Sequence, residues 1–112
     1  MTGDQPTPFS VETEDRDAQL LVRLRGELDL ATAPEVEDIV LPAARDGRHV
    51  IVDLRALEFL DSSGVRVLVA AHAAAGEGGG RLSVVRGPAG GPVQRVLEIS
   101  GLEGVLDLVD DA

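Results

Sequence analysis

The 112-residue chain contains no cysteine, tryptophan, tyrosine or lysine, and its only aromatic residues are Phe9 and Phe59. Without cysteine there is no disulfide framework and no thiolate metal site, a composition compatible with a reducing compartment. Two phenylalanines give no stacking platform for single-stranded nucleic acid. The cations are all arginines, ten of them scattered singly against 20 acids, for a net charge of −10. No basic stripe exists to track phosphates, so direct nucleic-acid binding is not expected. An acidic surface instead favours solubility and a partner with a basic patch.

Long apolar runs are missing as well. No stretch approaches the ~20 apolar residues needed to span a bilayer, and Met1 to Asp17 lacks an apolar core of signal-peptide length. The expectation is a soluble cytoplasmic protein with no membrane partner. At this length one domain can bury its own core without metal or disulfide staples. Residues 1–8 are polar with two prolines and read as a flexible lead-in, leaving 9–112 as a single domain.

What is present is organised around His49 to Ala75. Val50, Ile51, Val52 and Leu54 form a short β-branched and apolar run, whereas Val65 to Ala75 is alanine-rich and too long for most strands. Asp61-Ser62-Ser63-Gly64 joins them. Ser62 stands where an N-cap residue would stand, its hydroxyl placed to accept from the first orphan amides of the helix. On a helical projection Gly64, Leu68, Ala71 and Ala75 share one face and Arg66, Ala70, Ala73 and Glu77 the other. That helix is expected to meet a sheet through small residues.

Upstream, Phe9, Val11 and Thr13 alternate with polar residues, and the alternation resumes at Leu20, Val22 and Leu24 after a turn at Asp15 to Asp17; this is a β-hairpin. Gly26 to Ala31 reads as a loop. Thr32 and Glu35 have the form of a capping box, Pro34 fits the first turn, and Val36, Ile39, Val40 and Ala43 recur at helical spacing. Pro42 is expected to weaken regular helix beyond Leu41. Downstream, Gly76 to Gly80 ends the second helix, Leu82 to Val85 is a strand, and Pro92 starts a third helix. Gly101 ends it, with Leu102 placed for the apolar contact of that motif. Val105 to Val109 is the last strand. Polar residues interrupt the strands at Arg23, Arg25, Asp53, Ser83 and Asp107, so one face of the sheet is expected to lie open while helices pack on the other.

Enzyme motifs are lacking. His72 lies about ten residues, or ~15 Å, along the helix from Ser62, and His49 opens the strand whose far end leads to the turn. Leu60 replaces the first glycine of a nucleophile elbow, so hydrolase chemistry is not expected. The glycine run Gly76 to Gly80 follows a helix and lacks nucleotide-loop spacing. No cofactor or metal is implied.

The run Val50-Ile51-Val52-Asp53-Leu54, followed by Leu57-Glu58-Phe59-Leu60-Asp61-Ser62-Ser63-Gly64-Val65, resembles the STAS domain. More narrowly it is similar to the bacterial anti-sigma factor antagonists that carry D-S-[ST]-G after a strand. Gly26 to Asp29 and Arg95 to Leu102 extend the resemblance over about residues 9 to 109. It implies an α/β fold, a mixed β-sheet with helices packed mainly on one face. STAS domains of this kind usually have a further C-terminal helix, for which Asp110 to Ala112 are too few.

As the resemblance implies, the protein is non-enzymatic and acts by partner switching. Unphosphorylated, it would bind an anti-sigma factor that is also an ATP-dependent serine kinase, releasing a sigma factor. Phosphorylation at Ser62 would end the binding, and a PP2C-type phosphatase would restore it. Helix geometry alone does not choose between Ser62 and Ser63; the family pattern does. Partner contact would fall on Asp29, Asp61, Ser63, Gly64 and Arg66, with Asp29 and Asp61 brought side by side. Arg66, four residues after Ser62, is spaced to contact a phosphate there. An alternative within the same fold is a STAS accessory subunit of a membrane transport ATPase complex.

Overall fold

The computed structural model describes residues 8–112, so the lead-in expected over 1–8 falls, but for Pro8, outside the described residues. Strands β1 (Ser10–Arg16) and β2 (Gln19–Leu28) form the expected hairpin, and helix α1 (Ala33–Arg45) crosses to strand β3 (His49–Leu60). Helix α2 (Ser62–Gly78), strand β4 (Arg81–Val85), helix α3 (Pro92–Ile99), a 3₁₀ turn at Leu102–Gly104 and strand β5 (Asp107–Val109) complete the order. The hairpin turn is shorter than the sequence suggests. β1 continues to Arg16, and Asp17 takes the left-handed conformation that a two-residue connection needs, with φ +60°.

The five strands lie in sequence order, β1 antiparallel to β2 and the others parallel. Parallel crossovers are right-handed, so three successive crossovers stepping the same way place α1, α2 and α3 on one face. Val22, Val52, Val84 and Leu108 stand in one register row across four strands, the first three fully buried within the core that the helices cover. The mixed sheet and one-sided helices expected from the polar interruptions are therefore present. On the opposite face Leu21, Ile51 and Val85 form a small apolar group of their own. It is framed by Arg55 on Asp53, and by Arg81 and Ser83 on Asp107.

β2 runs on to Leu28, through Gly26 where a loop is expected, because it keeps pairing with β3 to that point. The last strand begins at Asp107 rather than Val105, which closes the 3₁₀ turn. Three other local expectations fail for physical reasons. β3 runs to Leu60 rather than ending near Leu54, because two irregularities against β2 each add a residue to β3. These bulges change the burial period from two to three, so that Leu54, Leu57 and Leu60 point into the core. Thr32 is the N-cap residue of α1 but makes no cap hydrogen bond. Its hydroxyl donates to the Glu27 carbonyl at 2.9 Å and accepts from the Asp29 amide at 2.9 Å, which leaves no capping box with Glu35. Finally, α1 continues through Pro42 to Arg45. Beyond the proline, Ala43 and Ala44 are buried, and this packing offsets the lost backbone bond.

Glycine fixes the approach of α1 to α2. A Cβ on Gly78 would stand 2.4 Å from the Arg45 carbonyl oxygen. Helix α2 runs three residues into the glycine stretch, through Gly76, Glu77 and Gly78, before Gly79 ends it in the left-handed conformation at φ +76°. Gly101 ends the α3 segment similarly at φ +73°, and Leu102 is buried as expected. Among the described residues no helix is long and apolar enough to cross a membrane.

Candidate functional site

β2 and β3 end together. Leu28 pairs with Leu60 as the last register position, and the Asp61 amide donates to the Leu28 carbonyl at 3.2 Å. The loop that begins at Asp29 and the turn that begins at Asp61 are consequently neighbours at the carboxyl edge of the sheet, beside the N-termini of α1 and α2. This is the juxtaposition the resemblance implies for the two aspartates.

Asp61, not Ser62, caps α2. Its backbone is extended, at φ −112° and ψ −170°, and its Oδ1 accepts from the amides of Ser63 at 2.8 Å and Gly64 at 3.3 Å. Because the Asp61 amide is still bonded to the sheet, Asp61 is the last extended residue, and an ionised carboxylate satisfies helix amides better than a hydroxyl. Ser62 becomes the first helical residue. It is exposed, and among the described residues its hydroxyl has no hydrogen-bond partner. Ser63 is half-buried and Gly64 buried. A Cβ on Gly64 would meet Leu60 Cδ1 at 2.2 Å and Leu28 Cγ at 2.9 Å, so glycine lets the helix start close over the strand ends.

The Asp29 carboxylate folds back on its own loop. Oδ1 accepts from the amides of Ala31 at 3.0 Å and Thr32 at 3.2 Å, a side-chain turn that fixes the entry to α1. Arg66 is exposed and, among the described residues, forms no ion pair. It follows Ser62 by four residues, and Val69 and Ala73 continue the same outward stripe of α2.

Three apolar residues around the turn escaped the sequence reading. Leu30 is 78% exposed, Phe59 42% and Val69 41%. Phe59 faces outward because the bulge at Glu58 shifts it off the core face; plain alternation from Leu57 would have buried it. The available signal was chemical: one of only two aromatics in the chain sits two residues before Asp61. Phe59 and Leu30 are thus exposed apolar residues on the two segments that meet at this edge, which also carries Asp29 and Asp61.

The histidines lie elsewhere. His72 is exposed on α2, while His49 opens β3 at the end away from Ser62. His49 Nε2 is 2.8 Å from Ser83 Oγ, which donates onward to Asp107 Oδ2 at 2.7 Å, and Gln19 Nε2 lies 3.4 Å from His49 Nδ1. With the serine proton committed to Asp107, His49 acts as donor to Ser83 and does not activate it as a nucleophile. Burial, joined by the charge of Arg81 and opposed by Asp107, holds His49 below its usual pKa.

Residues 11–110 match the family described as "Mlab, STAS domain". The chain is 33% identical over 105 residues to the anti-sigma F factor antagonist of Paenibacillus polymyxa, covering 92% of this chain and 88% of that protein. The crystal structure of an anti-sigma factor antagonist from Mycobacterium paratuberculosis superposes with a TM-score of 0.80 at 28% identity, over 93% of this chain and 87% of the other. The anti-sigma factor antagonist SpoIIAA in its unphosphorylated form gives 0.71 at 25% identity, over 91% and 88%. With the strand, turn and helix of its central segment in place and nearly the whole length matched, the chain belongs to the STAS domain family.

Proposed function

We propose that this protein is an anti-sigma factor antagonist working in the cytoplasm by phosphorylation-controlled partner switching, with residues 9–112 acting as one STAS domain. The observation that carries the reading is the state of Ser62: an exposed hydroxyl with no partner among the described residues, at the first helical position. Similarity to proteins named anti-sigma factor antagonists supports the class of partner.

The unphosphorylated edge binds the anti-sigma factor through Asp29, Asp61, Ser63, Gly64 and Arg66, and the exposed apolar residues Leu30, Phe59 and Val69 add contact area. The anti-sigma factor is itself an ATP-binding serine kinase. It transfers the γ-phosphoryl group to Ser62 Oγ, with loss of the hydroxyl proton and departure of ADP. A dianion on this edge then has to be desolvated for binding, which costs several kcal/mol unless the partner supplies a matching cation. A PP2C-type phosphatase hydrolyses the ester and resets the switch. The antagonist itself catalyses nothing.

The test is affinity capture from a native lysate, then incubation with ATP and intact-mass analysis. The expected result is a small ATP-binding kinase as the captured protein and a gain of one phosphate, placed on Ser62 by tandem mass spectrometry. Capture of a transport ATPase with no mass change would overturn the reading in favour of an accessory-subunit role.

A further inference from the structure

A helix N-terminus ordinarily receives a phosphate through its free amides. At the start of α2 two of the first three are taken, and of these, among the described residues, only the Ser62 amide has no acceptor. Asp61 Oδ1 holds Ser63 N and Gly64 N, and the Asp61 carbonyl accepts from Val65 N at 3.0 Å. The charged residues nearest the turn on the adjoining elements are Glu27 at the end of β2, Asp29 in the loop after it, Glu35 in the first turn of α1, and Glu58 near the end of β3. Arg23 and Arg25 on β2, Asp53 and Arg55 on β3, and Glu37, Asp38 and Arg45 on α1 lie farther along those elements. Arg66 is the one arginine on α2 itself, one turn from Ser62. It is exposed, so water screens what it offers.

We infer that Asp61 is a positioning residue that closes the Ser63 and Gly64 amides of α2 to a phosphate on Ser62, so that the phosphate stands outward, little compensated by its own helix. This rests on the reading of Ser62 as the modified residue and adds what makes the modification legible to a partner. Were the amides open, the phosphate would be drawn onto the helix and its charge largely absorbed by the protein that carries it. With Asp61 in place, the same phosphate adds to an existing carboxylate, and the partner meets the sum.

The experiment uses the full chain with phosphoserine installed at position 62 during translation, in wild type, Asp61→Asn and Asp61→Ala. Asparagine keeps a cap acceptor and removes the charge, whereas alanine also frees the amides. Phosphorus NMR titration reads the second phosphate pKa. It is expected to be highest in wild type, lower in Asp61→Asn and lowest in Asp61→Ala, the extremes differing by about 0.5 unit or more. Amide spectra give the second readout. The Ser63 and Gly64 signals should follow phosphate ionisation in Asp61→Ala and stay unmoved by it in wild type.

Equal phosphate pKa values in all three proteins would overturn the inference, as would wild-type Ser63 and Gly64 amides that titrate with the phosphate. A role for Asp61 limited to capping would leave Asp61→Asn at the wild-type value, and that too would overturn it. No kinase enters this measurement. Failure of the Ser62 assignment appears only in the mass-spectrometric mapping, and failure of the present inference only in the titration.

Discussion

The amide of Asp61 donates to the carbonyl of Leu28, one residue beyond the last paired position of β2 and β3. This single bond carries strand geometry past Leu60, makes Asp61 the N-cap of α2, and sets the Asp29 loop beside the Ser62 turn. The side chains of Asp61 and Ser62 thereby take separate tasks. One closes the helix end and the other faces solvent.

Stability separates those tasks. Asp61→Ala removes the acceptor for two amides and is expected to cost about 1 kcal/mol, within the ~0.5 to 2 kcal/mol span of N-cap losses. Ser62→Ala removes an exposed hydroxyl that is not a cap and should change stability by no more than ~0.5 kcal/mol. Urea denaturation of the two variants checks the order. A larger loss for Ser62→Ala would return the cap to Ser62.

Gly64→Ala places a methyl group against Leu28 and Leu60, which are 0% and 1% exposed. Overpacking of a site that cannot relax costs about 1 to 3 kcal/mol, against roughly 1 kcal/mol gained from helix propensity. Net destabilisation is expected, with amide shifts concentrated at the start of α2 and the ends of β2 and β3. Gly76→Ala, where a Cβ meets nothing within 4 Å, serves as the control and should be neutral or stabilising.

The helix-free face predicts a pH dependence. His49 has a folded pKa below its usual 6.5, chiefly through burial, so as the pH falls through 6.5 the unfolded chain takes up this proton first. Stability is then lost on acidification from 6.5 down to the folded value. Asp107 and Asp53 extend the trend. Hydrogen bonds from Ser83 and Arg81 hold Asp107 below 3.8, and at Asp53 burial raises the pKa but the Arg55 contacts outweigh it. Their contribution is present above 3.8 and lost as the pH drops through the folded values. Chemical denaturation at pH 7.5, 6.5 and 5.5 should show declining stability in wild type and a flatter profile in His49→Asn.

The exposed Leu30 and Phe59 are expected to matter for binding and little for folding. Leu30→Ala and Phe59→Ala remove exposed side chains and should leave stability within ~0.5 kcal/mol of wild type. At the centre of a partner interface the same truncations cost about 1 to 2 kcal/mol each, a five- to thirty-fold loss of affinity. Calorimetric titration with the captured anti-sigma factor distinguishes the two effects. Unchanged affinity in both variants would move the interface away from these residues.

Much of this fold is legible because polar and apolar residues alternate cleanly where strands are regular. Arg23, Asp53, Ser83 and Asp107 identify the helix-free face, and Gly64, Leu68, Ala71 and Ala75 the buried stripe of α2. The order of elements and the position of the Asp-Ser-Ser-Gly turn follow from the same patterns. Legibility fails where backbone geometry departs from the regular period. Leu54, Leu57 and Leu60 recur every third residue because β3 is bulged twice, a pattern that reads as neither strand nor helix. In the site, a serine at the head of an alanine-rich run reads as the cap, and Ser62 is the expected N-cap, although the Asp61 side chain carries an equally suitable acceptor. The Leu28 hydrogen bond chooses between them. Pro42 misleads in the opposite sense, because helix-breaking propensity is local whereas the burial of Ala43 and Ala44 is tertiary.

Charge also limits where phosphorylation acts. Phosphate at Ser62 adds about −1.5 to −2 to an exposed edge already shaped by Asp61, with the core strands buried behind it. Amide shift changes on phosphorylation are expected to stay within the Asp29 loop, the Ser62 turn and the first two turns of α2. Changes spread over Val22, Val52 and Val84 would replace a local electrostatic switch with a conformational one.

The most direct measurement is a calorimetric titration of the anti-sigma factor with this chain carrying either serine or phosphoserine at position 62. Binding by the unmodified chain and at least about 100-fold weaker binding by the phosphorylated chain is the expected result. Equal affinity for the two forms would contradict the account.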